Sequence, residues 1–182
     1  MKVEIRADNT VELSGYVNAV ERRSQPLPVP GQIGKYYTET VAPGTFQRAI
    51  NRGSVIALKL NHGRIIDSTK GSLELREDNI GLHAHAVVSD PETVQAAKEK
   101  RLTGWSFGFR CCRDHWDEKH EQRTLEDIDL HEVSILTVRP AYAATSVEIR
   151  SAADDEVELI NAVPEYYYYR QRQIEILKLK GE

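Results

Sequence analysis

Short runs that alternate apolar and polar residues, each closed by turn residues, recur through the first 150 positions and constrain the fold more than any other feature of this chain. They cover residues 3–6, 11–20, 54–61, 71–76, 81–88, 105–112 and 124–138. A period of two sends successive side chains to opposite faces, so each run reads as a strand with one face inward. Two stretches break the pattern. Residues 45–51 read as a short helix closed by Gly53, and Asp90, Pro91 and Glu92 open a second over 93–102 with a capping carboxylate, a first-turn proline and an early acid. About seven strands at this spacing predict a mainly β fold with helices (β or α+β), arranged as an antiparallel β-barrel flanked by helices. At 182 residues and 40% hydrophobic content, the chain suffices for one domain with its own core and an appendage.

Residues 24–44 hold four prolines and three glycines and read as a long surface loop without a regular ladder, either a carrier of binding or gating or a plain connection. Beyond Arg150 the composition changes. Residues 151–158 are small and acidic, and Pro164 opens a helical pattern in which Tyr166, Tyr169, Gln173 and Ile176 share one face. The expected organisation is a domain over 1–150 and an acidic linker with a helical tail over 151–182.

A net charge of -4 favours neither nucleic acid nor an anionic membrane as a partner. The two cysteines, Cys111 and Cys112, are adjacent, so they build no disulfide framework or zinc knuckle, and a reducing cytosol fits this usage. No apolar run approaches the roughly 20 residues that span a bilayer, and the start MKVEIRAD lacks the apolar region of a secretory signal, so a soluble intracellular protein is expected. The chain holds no phosphate-cradling glycine loop and no dinucleotide fingerprint, and no cofactor is expected.

The segment Gly104-Trp105-Ser106-Phe107-Gly108-Phe109 seats a small hydroxyl between bulky aromatics. Alternation points the aromatics one way and Ser106 with Gly108 the other, which would let a substrate backbone approach the hydroxyl. His62 falls in phase with Ile56, Leu58 and Leu60 and so continues an inward apolar face. An imidazole there is more often a satisfied core residue, but with a partner to fix its tautomer it can act as a general base. Glu132 interrupts a second apolar row of Ile128, Leu130, Ser134, Leu136 and Val138, and a carboxylate in that row needs a partner. His62 could supply it; as a plain ion pair, Arg110 or Arg139 would suffice. His131 falls on the opposite face with Val133 and Ile135. A hydroxyl, an imidazole and a carboxylate are the parts of a serine-nucleophile triad, although spacing alone does not assemble them.

The remaining candidates are weaker. His83 and His85 form an H-x-H pair on one strand face, a geometry that can bind a metal given a further ligand, yet no close third ligand is present and no metal site is expected. His115 and His120 lie in RDHWDEKHEQR, which reads as a polar hairpin tip. Cys112 lies near Arg110 and Arg113 but reads most simply as a small hydrophobe on a strand.

Taken in order, Val41-Ala-Pro-Gly-Thr-Phe46, Leu60-Asn-His62, Gly71-Ser-Leu-Glu-Leu75 with Glu77-Asp78 and Gly81-Leu82, Gly104-Trp-Ser-Phe-Gly-Phe109, Arg123-Thr124, Leu130-His-Glu-Val-Ser134 and Arg139-Pro-Ala-Tyr142 to Arg150 resemble one family. This is the prohead maturation serine proteases of tailed DNA phages, distantly similar in fold to the herpesvirus assemblin proteases, and the resemblance covers roughly residues 1–150. It implies Ser106 as nucleophile, His62 as general base and Glu132 as third member, with Arg139 helping to form the oxyanion site and Gly108 leaving room for the peptide. His131, one residue before Glu132, stays open for the third role. Gly63, where many relatives carry an acid, and the loop over 25–34 depart from the pattern.

The resemblance further implies an endopeptidase that cuts the scaffolding segment of the major capsid protein and itself, inside the assembling prohead in the host cytoplasm. A homodimer is open by analogy with the assemblin relatives. Two rival readings stand beside this one: a noncatalytic capsid assembly or scaffolding factor, and a metal hydrolase centred on His83 and His85.

Overall fold

The computed structural model describes residues 1–137 apart from Gln25 and Pro30. The elements run β1 (Lys2–Ile5), β2 (Val11–Ala19), β3 (Leu27–Pro28), β4 (Tyr36–Val41), α1 (Thr45–Asn51), β5 (Ala57–Leu60), β6 (Arg64–Ser68), β7 (Glu74–Glu77), β8 (Gly81–Val88), α2 (Pro91–Lys98), β9 (Gly104–Trp116) and β10 (Gln122–Leu136). The mainly β expectation stands. The closed antiparallel barrel is not seen: among the described residues the strands form two sheets, β1-β2-β8-β7 and β3-β4-β10-β5-β6 with β9 also on β10, and neither is closed. Two pairings are parallel, β10 with β4 and β10 with β5. At 15 residues β10 is long enough to take β4 along its first part and β5 along its last.

Alternation builds the first sheet. In β2 and β8 every second side chain is buried, so Val11, Leu13, Leu82, Ala84, Ala86 and Val88 share one inward face. A β-bulge between Tyr16 and Asn18 lets β2 bend there. The second sheet turns Leu58, Trp105, Phe107, Ile128, Leu130, Val133 and Ile135 into the same core. Phe107 meets Phe46 of α1 edge-on at 5.3 Å and stacks on Phe109 at 5.3 Å, which fixes the roll of β9.

The helices sit where the sequence put them. Gly44 brings no side chain to cap α1, and Glu77 of β7 takes over, accepting from the backbone N–H groups of Gly44 at 2.7 Å and Gln47 at 2.6 Å. Asp90 caps α2 by accepting from the Thr93 backbone N–H at 2.9 Å. That helix ends at Lys98 and not at 102, because Lys100 turns left-handed with φ 55°.

The expected loop over 24–44 is corrected. Tyr36–Val41 is a strand, paired in register from Thr38 on Gln122 to Val41 on Leu125, and Leu27–Pro28 adds a short edge to it. Aromatic and β-branched residues at 36–41 favour the pleat, Pro28 sits in the short edge strand, and Gly31, Gly34, Pro43 and Gly44 lie outside the strands. β6 was also absent from the expected strands. It forms an antiparallel hairpin with β5 across the turn that carries His62. No helix among the described residues is long and apolar enough to cross a membrane. The expected tail over 151–182, Val138 and Arg139 lie outside the described residues.

Candidate active site

β9 and β10 run antiparallel with Ser106 opposite Ser134 and Gly108 opposite Glu132. Residues directly opposite in an antiparallel pair share a face, so Ser106, Gly108, Glu132 and Ser134 lie together, while Trp105, Phe107, Val133 and Ile135 face the core. The expected apolar row through Ile128, Leu130 and Glu132 is corrected here. A bulge shifts the register between Leu130, opposite Phe109, and Glu132, opposite Gly108, leaving His131 as the extra residue. The phase of the strand inverts across it: Leu130 stays with the core and Glu132 turns to the Ser106 face. His131 does not join Val133 and Ile135 inside; its side chain is exposed, 3.9 Å from Asp129.

His62 reaches Glu132 by a similar reversal. It does not continue the inward face of Ile56, Leu58 and Leu60, because β5 ends at Leu60 and both Asn61 and His62 are left-handed, with φ 51° and 58°. That turn, held by a hydrogen bond from Gly63 N–H to the Leu60 carbonyl at 3.0 Å, swings the imidazole to the other side of the sheet. There Nδ1–H donates to Glu132 Oε1 at 2.6 Å, which leaves Nε2 as the basic nitrogen of the neutral ring.

Two groups at this site were not singled out in the sequence. Ser134 Oγ donates to the same Oε1 at 3.2 Å, and the ammonium of Lys59 pairs with Oε2. Lys59 is opposite Ser134 in the parallel pairing of β5 with β10, hence on the same face. In sequence it is an ordinary outward lysine between Leu58 and Leu60; only a carboxylate on the neighbouring strand marks it. Arg110, expected as an alternative ion-pair partner, is spent on Asp129 at 3.2 Å.

Burial pushes the Glu132 carboxyl up, but its hydrogen bonds to His62 and Lys59 and their charges pull harder, and it settles down at about 2. The carboxylate is 7% exposed and anionic near neutrality. Gly108 makes room for it: a Cβ there would fall 2.7 Å from Glu132 Cγ. The space over Gly108 is filled by this side chain in the free chain. Ser106 is fully buried, and its Oγ has no hydrogen-bond partner among the described residues. Thus His62 and Glu132 are joined, Ser106 shares their face, and the serine–imidazole bond is not closed. In apo sites such bonds are often long or poorly aligned.

The other histidines lie elsewhere. His83 Nε2 is 3.3 Å from Ser14 Oγ and meets Tyr16 edge-on, and His85 Nε2 is 2.9 Å from Glu12. Among the described residues no group of three or more His, Cys, Asp or Glu could hold a metal ion. The hairpin tip is shorter than expected: β9 runs to Trp116 with His115 paired opposite Thr124, and only His120 falls in the turn, with φ 57°. Cys112 is exposed and Cys111 half-buried, with burial pushing the Cys111 thiol up.

A family model described as caudovirus prohead serine protease matches residues 1–159. The prohead protease of Escherichia phage T5 is 25% identical over 142 residues, which is 70% of this chain; the chain spans 66% of the length of that relative. No solved structure matches the chain significantly. With a match that takes in both sheets, the chain belongs to the caudovirus prohead serine protease family.

Proposed function

We propose that this chain is a serine endopeptidase that cleaves the scaffolding segment of the major capsid protein, and its own tail, within the assembling prohead of the infected host. The observation that carries the chemistry is the 2.6 Å bond from His62 Nδ1–H to Glu132 on the strand face that also bears Ser106. His62 Nε2 takes the proton of Ser106 Oγ as that oxygen attacks the scissile carbonyl. The tetrahedral intermediate collapses as the imidazolium returns the proton to the leaving amine, and water, activated by the same nitrogen, hydrolyses the acyl-enzyme. Glu132 fixes the tautomer and stabilises the imidazolium. Backbone N–H groups meet the oxyanion, a role the family resemblance also assigns to Arg139, and losing one such donor typically costs about 3 kcal/mol in the transition state.

Since Ser106 is buried, productive substrate binding has to uncover it and bring Oγ to Nε2. Co-expression with the capsid precursor tests the reading: Ser106→Ala should fold and leave the precursor uncut, and full processing by that variant overturns it. Intact mass of the active chain against Ser106→Ala tests self-trimming beyond Arg150; identical masses remove that part.

The buried, unpartnered Ser106 Oγ is also what favours the rival reading, a noncatalytic capsid assembly or scaffolding factor. Proheads that assemble with no Ser106-dependent cleavage would establish it.

A further inference from the structure

Glu132 holds more partners than one imidazole requires. A carboxylate 7% exposed needs compensating charge or donors on both oxygens. If His62 were its sole cation, Glu132 would be ionically paired only while the imidazole is protonated. A general base has to be neutral before it acts. The carboxylate would then favour the protonated ring and hold the base in its inactive form near neutral pH.

Lys59 resolves this conflict. Parallel pairing sets Ala57 opposite Glu132 and Lys59 opposite Ser134, on one face. Ala57 is too short to compete for the carboxylate, and the side chain of Lys59, 21% exposed, reaches it from two residues along. The two oxygens are divided: Oε2 to the Lys59 ammonium, Oε1 to His62 Nδ1–H and Ser134 Oγ–H.

Among the described residues no other charge competes at this point. On β6, Arg64 is engaged by Asp90 and Glu92, and Asp67 accepts from Ser68 and Ser72. β9 contributes only Ser106 and Gly108 here, with Arg110 turned to Asp129. On β10 itself His131 is exposed near Asp129.

We propose that Lys59 is a positioning residue for the proteolysis proposed above: its ammonium keeps Glu132 charge-paired while His62 is neutral, and frees Oε1 to orient the imidazole. The inference rests on the endopeptidase reading. It separates Lys59 from the proton-transfer role, because an ammonium bound to a carboxylate is not a base.

The test is the pH profile of kcat/KM on a capsid-precursor peptide for the full chain and for Lys59→Met, Lys59→Gln and Lys59→Arg, with folding checked by circular dichroism. Removing the charge should move the acid limb up by about one pH unit. Activity then falls by up to about 10-fold below the limb and hardly at all at pH 8.5. Lys59→Arg should restore the wild-type limb. Lys59→Gln keeps most of the stem, and it reports the same shift should Lys59→Met not fold. An unmoved acid limb in a folded neutral variant overturns the proposal, as does failure of Lys59→Arg to restore it. Loss equal to that of Ser106→Ala at every pH also overturns it and makes Lys59 the base. Should the wild-type chain show no Ser106-dependent cleavage, it is the endopeptidase reading that fails, before Lys59 is reached.

Discussion

Two carboxylates largely shielded from water sit at opposite ends of β10, and although burial pushes both up, they settle on opposite sides of the ordinary carboxylate range. At the far end Glu39 of β4, opposite Arg123, shares that one guanidinium with Asp114 of β9, at 3.1 and 2.6 Å, over the ring of Trp116. Burial raises the Glu39 carboxyl to about 7, only partly offset by Arg123 and reinforced by Asp114. At the near end Glu132 has an imidazole, an ammonium and a hydroxyl to itself and falls to about 2. The contrast follows from the balance of burial against donors: the partners of Glu132 outweigh its burial, and the one guanidinium that Glu39 shares does not. One end holds a fixed anion suited to orienting an imidazole; the other holds an acid that takes up a proton near neutrality. The turns flanking β4, with the cleft bounded by Tyr36, Thr38, Asp117 and Gln122, belong to the Glu39 end. The nearest β4 pairing, Val41 on Leu125, is seven residues from Glu132, roughly 23 Å along the strand.

The largest expected effect divides the two ends by activity. Glu132→Gln should slow capsid-precursor cleavage by roughly 10³-fold, since a neutral amide no longer stabilises the imidazolium, whereas Glu39→Gln should leave cleavage within a few-fold. Equal losses would break the distinction. Gly108→Ala comes next: its methyl group must displace Glu132, so unfolding should show a loss of about 1–3 kcal/mol together with reduced cleavage. Unchanged stability would mean that Glu132 yields freely.

The third prediction concerns pH. Glu39 holds its proton up to about 7 in the folded chain against 4.5 ordinarily, so its stabilising contribution is complete below pH 4.5 and lost as pH rises through 7. Denaturant unfolding should show the wild type losing roughly 3 kcal/mol relative to Glu39→Gln between pH 4.5 and 8. Glu132 has the reverse sign: its contribution is present above pH 4.5 and lost as pH falls toward 2. A pH-independent difference for Glu39→Gln would remove the contrast. The smallest effect is His131→Gln, exposed on the bulge, for which stability should stay within about 0.5 kcal/mol and cleavage within about 3-fold of wild type. A loss matching Glu132→Gln would transfer the third role to His131.

Much of this was legible in the sequence. The alternation at 11–20 and 81–88 and the cap at Asp90 follow from local chemistry and reappear in the structure, whereas the apolar row through Ile128, Leu130 and Glu132 does not. The row itself was misread because one extra residue, His131, inverts the phase of β10, and a period-2 reading has no way to sense a bulge whose partner strand is unknown. For the same reason His62 was given the core face, when two left-handed residues turn it over. β4 was hidden by neighbouring prolines and glycines, and its parallel partner lies more than eighty residues away.

The sequence by itself determined the β-rich class and the two helices, and singled out a hydroxyl, an imidazole and a carboxylate as candidates, since these depend on residue type and local period. Only the tertiary structure decided that His62 and Glu132 meet at 2.6 Å, that Ser106 lies buried on the same face, and that Lys59 takes the second oxygen. Those facts rest on strand register, and register is set by long-range packing that no local stretch of the chain contains.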